Sequence, residues 1–290
     1  MAKLREIRKR IKSVRNTKQI TKTMEMVSTA KLKRAMDRVK AAQPYSAEVE
    51  ALLKSCARAA AGGGVHPLTR SGAEGAPEGV LLLTANRGLC GGFNTNVIKK
   101  ARVLMEEHRK AGRAVALSVS GKKGLSFCKF QGIAVSHRYT QFEEKPRFSD
   151  VRTVAQELAA DFAAGRIRSL TLVFTAFRSA GDQKPAAMPV LPVPLTASAA
   201  AEPKGLPPLS SPAPAEMLER LVPEWLELML YRAFVESAAC EQAARRLAMK
   251  SATDNADEMI KNLSREGNRA RQSQITQEIA EIVSGAEAIS

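Results

Sequence analysis

Residues 4–14 read Leu4-Arg5-Glu6-Ile7-Arg8-Lys9-Arg10-Ile11-Lys12-Ser13-Val14. Leu4, Ile7, Ile11 and Val14 recur every three or four positions, and nearly every residue between them is charged. That is the pattern of an amphipathic helix with one narrow apolar stripe. The stripe is expected to continue through Ile20, Met24 and Val27, then Leu32, Met36 and Val39. No proline precedes Pro44, so a helix is expected over roughly residues 3–60, with Pro44 and Tyr45 marking a bend. Such a helix is about 80 Å long, too long for a compact 290-residue globule to enclose.

The other end has the same character. Of the 14 prolines, nine lie between Pro185 and Pro214, and none follows Pro223. A short helix around Glu216–Val222 is expected to stop at Pro223, which suits the first position of a new helix. From Glu224 to about Ala286 nothing interrupts a helix of about 90 Å. Its stripe starts at Leu228, Val235 and Ala239, continues at four-residue spacing through Ala244, Ala248, Ala252 and Ala256, and ends with Ile260, Leu263, Ile275, Ile279 and Val283. Small side chains let a second helix approach closely. Two stripes too narrow to be stable alone, joined through one intervening domain, are expected to pair antiparallel as a rod on a foot.

Between them the sequence alternates. Val80–Thr84, Ala114–Ser120, Ile133–Tyr139, Leu170–Phe177 and Met188–Leu195 read as strands, the last at an edge because of its prolines. Helices are expected at Asn94–Ala111, capped by Asn94, at residues 122–131, and at Ser149–Gly165, capped by Ser149 or Asp150. Alternating strands and helices indicate an α/β domain with a largely parallel sheet. The expected organisation is helix 1–60, glycine-rich loop 61–79, α/β domain 80–195, Pro/Ala/Ser linker with a short helix 196–222, and helix 223–290.

Aromatic residues are only 4% of the chain, so aliphatic side chains and alanine supply most of the core. The net charge is +16, and residues 1–60 alone carry +11 of it, from 16 basic and 5 acidic groups. So uneven a field seeks an acidic partner, whether nucleic acid, anionic lipid or acidic protein loops. Cys56, Cys90, Cys128 and Cys240 form no CxxC pair, which suggests reduced thiols. The three histidines, His66, His108 and His137, sit at no metal-ligand spacing. No signal-peptide pattern opens the chain, and no apolar run is long enough to span a bilayer.

Arg87-Gly88-Leu89-Cys90-Gly91-Gly92-Phe93-Asn94 is the most enzyme-like stretch, because it follows a strand and opens a helix, where amides could cradle a phosphate. Its glycine spacing does not match GxGxxG, and no Walker lysine follows. A tight strand-to-helix turn is the stronger reading. The basic run Lys3, Arg5, Arg8, Lys9, Arg10, Lys12, Arg15, Lys18 and Lys22 lacks the interleaved aromatics of a nucleic-acid surface. It reads as a solvated helix face or a positive collar for acidic loops. The segment Asn268–Ile279 is unusually polar for a helix with an apolar seam. It reads as an exposed end or as a tip making reversible polar contacts.

Three stretches carry a resemblance: Ile11–Val27, Arg87–Asn94, and the C-terminal run from Glu241-Gln242-Ala243-Ala244-Arg245 through Ala252-Thr253-Asp254-Asn255-Ala256 to Arg269-Ala270-Arg271-Gln272 and Ile275-Thr276-Gln277-Glu278-Ile279. In that order they resemble the γ subunit family of the F-type ATP synthase over nearly the whole chain. The resemblance implies an antiparallel coiled coil inside a ring of α and β subunits. It also implies a Rossmann-like α/β foot on the membrane c ring and the ε subunit. It implies no catalytic site, no metal and no cofactor, and membrane association only through partners, on the cytoplasmic side of a bacterial inner membrane. Arg271 and Gln272 would contact a β-subunit catch loop, with Thr276 and Glu278 nearby. Met24, with Lys9, Arg10 and Lys12, would face acidic β-subunit loops. Asn86 stands where the family often has Asp, and Gly267 where an aromatic is usual. The alternatives are a basic coiled coil that binds nucleic acid, and a dinucleotide-dependent enzyme.

Overall fold

The structure, a computed structural model, describes residues 2–59, 66–142, 145–179, 181–194 and 213–287. Of the linker and short helix expected at 196–222, residues 196–212 lie outside the described residues. The elements are α1 (Ala2–Ala59), β1 (Glu78–Leu83), α2 (Phe93–Lys110), β2 (Val115–Ser120), α3 (Lys122–Phe130), β3 (Arg138–Tyr139), α4 (Phe148–Ala163), β4 (Ser169–Phe177), β5 (Gln183–Leu191) and α5 (Pro214–Glu287). The chain divides into two compact units, one of Ala30–Ala244 and one of Met1–Thr29 with Arg245–Ser290, so α1 and α5 contribute to both.

In the larger unit the five strands run in the order β3-β2-β1-β4-β5. The first four are parallel and β5 is antiparallel to β4. All six residues of β1 are buried, and its pleat divides them between two cores. Val80 and Leu82 pack with Val97, Ile98 and Ala101 of α2 and Cys128 of α3. Leu81 and Leu83 pack on the opposite face with Val151, Val154 and Leu158 of α4, with Leu53 of α1, and with Leu226 and Leu230 of α5. A strand covered on both faces is the near-continuous apolar run that parallel sheets require.

Several elements depart from the sequence reading. Residues 133–137 do not join β3, which is only Arg138–Tyr139. β5 starts upstream of the expected Met188 and pairs Pro189 with Thr171 and Pro185 with Thr175. A prolyl nitrogen cannot donate, so these pairs are of the non-hydrogen-bonded kind and both prolyl nitrogens face away from β4, as an edge strand allows. Asn94 and Ser149 or Asp150 are not caps: the N-cap of α2 is Gly92 and that of α4 is Arg147, neither with a side-chain cap bond. Pro223 does not separate two helices, since α5 runs unbroken from Pro214, and Pro44 lies inside an unbroken α1. Each proline costs a helix roughly 3 kcal/mol. Val49, Leu53 and Cys56 beyond Pro44, and Val222, Trp225 and Leu226 around Pro223, are buried in one core. At about 1.5–3 kcal/mol per large buried side chain, that burial offsets the loss.

Within this unit α1 and α5 are antiparallel. Ala35 and Val39 pack with Val235 and Ala239, and Tyr45, later in α1, meets an earlier residue of α5, its hydroxyl donating to Glu224. In the smaller unit they are again antiparallel: Lys18 pairs with Asp257 at 2.5 Å, Thr21 meets Thr253 at 2.8 Å, and Ile7 lies against Gly267. The inward face of α1 follows the expected stripe except at Ile20 and Val27. It runs through Ile7, Ile11, Val14, Lys18, Thr21 and Ser28 to Leu32, Ala35 and Val39, a 3-4 repeat of coiled-coil type. Ile20 and Val27 point outward, 60% and 46% exposed. Along the expected Ala244–Ala256 run of α5 the buried positions are Arg245, Met249, Thr253 and Ala256, while Ala244, Ala248 and Ala252 are half-buried, because strict four-residue spacing drifts off a seam that repeats every seven.

Glu78 joins the amino ends of three strands. It is 4% exposed, accepts a hydrogen bond from Arg113 before β2 at 3.0 Å, and accepts another from Ser169 at the start of β4. Burial, the largest single influence, pushes its carboxyl up. The Ser169 and Arg113 hydrogen bonds and the charges of His108 and Arg113 together hold it below the usual range. A depressed carboxylate stabilises the fold above its unfolded pKa, and that contribution is lost as pH falls through the folded value. Glu78→Gln is therefore expected to lower stability at neutral pH and to flatten the acid limb below about pH 4.5, as urea midpoints measured across pH will report. An acid limb as steep as the parent's would refute this role.

Candidate functional site

The glycine stretch builds a closed junction. The N-terminal amides of α3, where a ligand phosphate could dock, are already taken. Lys122 N–H donates to Asn86 Oδ1 at 3.0 Å, Lys123 N–H to the Ala85 carbonyl at 3.1 Å, and Gly124 N–H to Thr84 Oγ1 at 2.9 Å. Gly121, at φ 100°, lies so close to this turn that a Cβ would stand 2.1 Å from the Thr84 carbonyl oxygen. Asn94, in the first turn of α2, accepts from Ala85 N–H at 2.9 Å and donates to Cys90 Sγ at 3.2 Å. Cys90 is buried with Ala85, Phe93 and Cys240, and burial, with the Glu236 charge, pushes the Cys240 thiol far up. Leu89 takes φ 61° and is 62% exposed. The geometry is that of a tight packed turn: at α2, the helix this stretch opens, Phe93 N–H already donates to the Cys90 carbonyl at 3.2 Å, and the first amides of the neighbouring α3 are occupied as well.

The Asn86 side chain is used at both ends. Its oxygen accepts from Lys122 N–H, which fixes the amide orientation, and its nitrogen donates to the carbonyls of Thr140 and Phe142 at 3.2 and 2.6 Å. An aspartate could supply the acceptor but neither donor.

The residues read as contact sites lie in the smaller unit. Lys9, Arg10 and Lys12 fall within one turn of α1 and are exposed, with Arg10 paired to Glu6 at 2.8 Å. Arg271, Gln272, Thr276 and Glu278 fall within two turns of α5 and are all exposed. Thr276 donates to the Gln272 carbonyl at 3.0 Å, and Gln274 to Glu278 at 2.8 Å. Met24, half-buried, stands about 18 Å along α1 from Lys12 and is not brought to the others.

A second feature there was misread as seam. Ile275, Ile279 and Val283 do not face α1. They are 48%, 56% and 51% exposed, and Ile282 is 71% exposed. The register that sets Ile7 against Gly267 brings α1 to its start near residue 272, so the last turns of α5 have no α1 residue opposite. Ile20, Met26 and Val27 likewise leave large apolar groups in water. The signal that would have found them is the 3-4 repeat through Thr21 and Ser28, which places Ile20 and Val27 outside.

Residues 3–289 match the ATP synthase family. The chain is 42% identical to the ATP synthase gamma chain of Leptospira biflexa over 100% of both chains. It is 43% identical to that of Gemmatimonas aurantiaca, over 100% of this chain and 99% of the relative. The chain belongs to the ATP synthase gamma chain family. The rotor of the Euglena gracilis mitochondrial ATP synthase has the same fold, with a TM-score of 0.69 at 17% identity over 94% of this chain and 99% of that one. Membership removes the ground for the nucleic-acid and dinucleotide-enzyme alternatives. A gamma chain is a subunit of the F1 complex, and catalysis occurs in other subunits. No helix among the described residues is long and apolar enough to cross a membrane.

Asn86→Asp in this chain is expected to cost about 1–3 kcal/mol, since two carbonyls lose their donor and a new charge approaches them. Denaturant unfolding of the purified chain measures it, and an unchanged midpoint would show that Asn86 is not holding the junction.

Proposed function

We propose that this chain is the central rotor shaft of an F1 sector. It would couple ion flow through the membrane c ring to ATP synthesis or hydrolysis in the β subunits by turning, without chemistry of its own. The full-length match to gamma chains carries the reading, and the exposed aliphatic end of α5 agrees with it. A surface completed only by surrounding subunits suits the interior of a ring of α and β subunits. The α/β unit would rest on the c ring and the ε subunit, at the cytoplasmic face of a bacterial inner membrane, in keeping with the bacterial relatives.

Within that ring, Arg271 and Gln272 would hydrogen-bond to a β-subunit catch loop, with Thr276 and Glu278 beside them. Lys9, Arg10, Lys12 and Met24 would meet acidic β-subunit loops. Each face of the paired helices presents different groups to otherwise identical subunits. Turning therefore changes which conformation each subunit prefers, through differential contacts. Polar contacts of about 1–3 kcal/mol each can be broken and remade in a cycle.

Co-expressed with α and β subunits, the chain is expected to co-purify with both. Reversing charge at Lys9, Arg10 and Lys12 is expected to lower its yield in the complex, more at low than at high salt because screening already weakens the parent contacts. Failure of the parent chain to co-purify would sink the rotor reading. A reversal that changes nothing at any salt would remove only the basic face. In membrane vesicles, Arg271→Ala with Gln272→Ala is expected to lower coupled synthesis roughly tenfold with assembly retained, and parental synthesis rates would rule that contact out.

A further inference from the structure

A cavity of about 200 Å³ lies beyond the carboxyl ends of β1, β2 and β3, and α5 forms its far wall through Phe234, Ser237 and Glu241. In open α/β sheets this is the side on which ligands bind. Two of its lining side chains are unusual. Ser120, at the end of β2, is 3% exposed, and Ser237 of α5 is 8% exposed. Neither hydroxyl has a hydrogen-bond partner among the described residues, although the Ser120 carbonyl is bonded by Thr84. Buried hydroxyls ordinarily find partners. Here both line the same space, from opposite walls.

The charges around it are of one effective sign. Lys122, the first residue of α3, lines the cavity, and no partner is found for its ammonium group among the described residues. Arg87 lines it as well. Glu241 is the one carboxylate on the wall, and it is already engaged, as is Arg87. The amino end of α3 adds its positive dipole, while its first amides are occupied by Asn86, Ala85 and Thr84. What remains for a ligand is an ammonium group and two hydroxyls. The volume suits a small ion and excludes a dinucleotide.

We propose that this cavity binds a small oxyanion of the phosphate class, held by Lys122, Ser120 and Ser237. Because its walls come from the sheet and from α5, the bound anion ties the glycine junction to the helix and stiffens the larger unit. The site shares no residue with the contacts proposed above for Arg271, Gln272 and the basic face of α1, and does not depend on them.

Calorimetric titration of the purified full chain, at constant ionic strength in chloride, tests this with inorganic phosphate and with phenyl phosphate in separate arms. Saturable one-to-one binding is expected, with a rise in Tm as phosphate is added. Competition between the two probes would show that the site takes the phosphoryl group of a larger molecule, and binding of inorganic phosphate alone would identify the free ion. Lys122→Gln and Ser120→Ala are each expected to weaken binding at least about tenfold, with the far-ultraviolet spectrum unchanged. Lys129→Gln, at the other end of α3, should leave it as it was. Absence of saturable binding by either probe, or equal losses in Lys129→Gln, would overturn the proposal.

Discussion

Two hydroxyls meeting inside a helix pair set the geometry of the terminal helices. The Thr21 and Thr253 hydroxyls share one hydrogen bond at 2.8 Å, and each also lies within reach of a carbonyl of its own helix, Lys18 and Met249, so that one donates across the pair while the other donates to its own backbone. Both residues are buried, at 9% and 6% exposure. So short a contact requires the two backbones to lie close, and the neighbouring inward positions are accordingly small: Ser28 on α1, Ala256 and Gly267 on α5. A bulkier pair would push the helices apart, and a slip of one position would put a hydroxyl against an aliphatic neighbour. The Lys18–Asp257 pair, partly exposed, adds direction but little energy. Register here rests on shape and hydrogen bonding rather than on a broad apolar interface.

That choice explains where the large aliphatic residues went. Around Thr21 and Ser28 the inward positions are small and polar, and Ile20 and Val27, each one position before them, stand on the outer face. Gly267 belongs to the same logic. A Cβ there would meet an Ile7 methyl at 3.3 Å, tighter than ordinary contact, so the usual helix cost of glycine, roughly 1 kcal/mol, is offset by the fit of Ile7. The position where the family commonly has an aromatic is, in this chain, an inward-facing gap filled from α1.

Much of the architecture was legible because it follows from periodicity and proline placement. The long terminal helices, the buried run of β1 and the alternation of strands with α2, α3 and α4 all came from patterns that burial enforces. The exact faces did not. Apolar residues were assumed to point inward, and at Ile20, Val27, Ile275 and Val283 that assumption fails, since all four stand exposed. Caps at Asn94 and Ser149 were misassigned because Asn94 serves the β1 turn and a loop backbone starts α4. Pro223 was read as a break because sequence alone does not show the core that carries α5 across it. The contact residues Arg271 and Gln272 were legible only through resemblance, since nothing in their own chemistry separates them from any exposed polar pair.

The prolines of β5 bear on life before assembly. With Pro185 and Pro189 turning their nitrogens outward, an incoming strand would find two donors missing from the very row it needs. Newly made copies crowded together therefore cannot zip sheet to sheet along this border, even though each still displays a sticky aliphatic tail. This border of the sheet is thereby a poor template for a second copy, while the aliphatic groups in the last turns of α5 stay exposed.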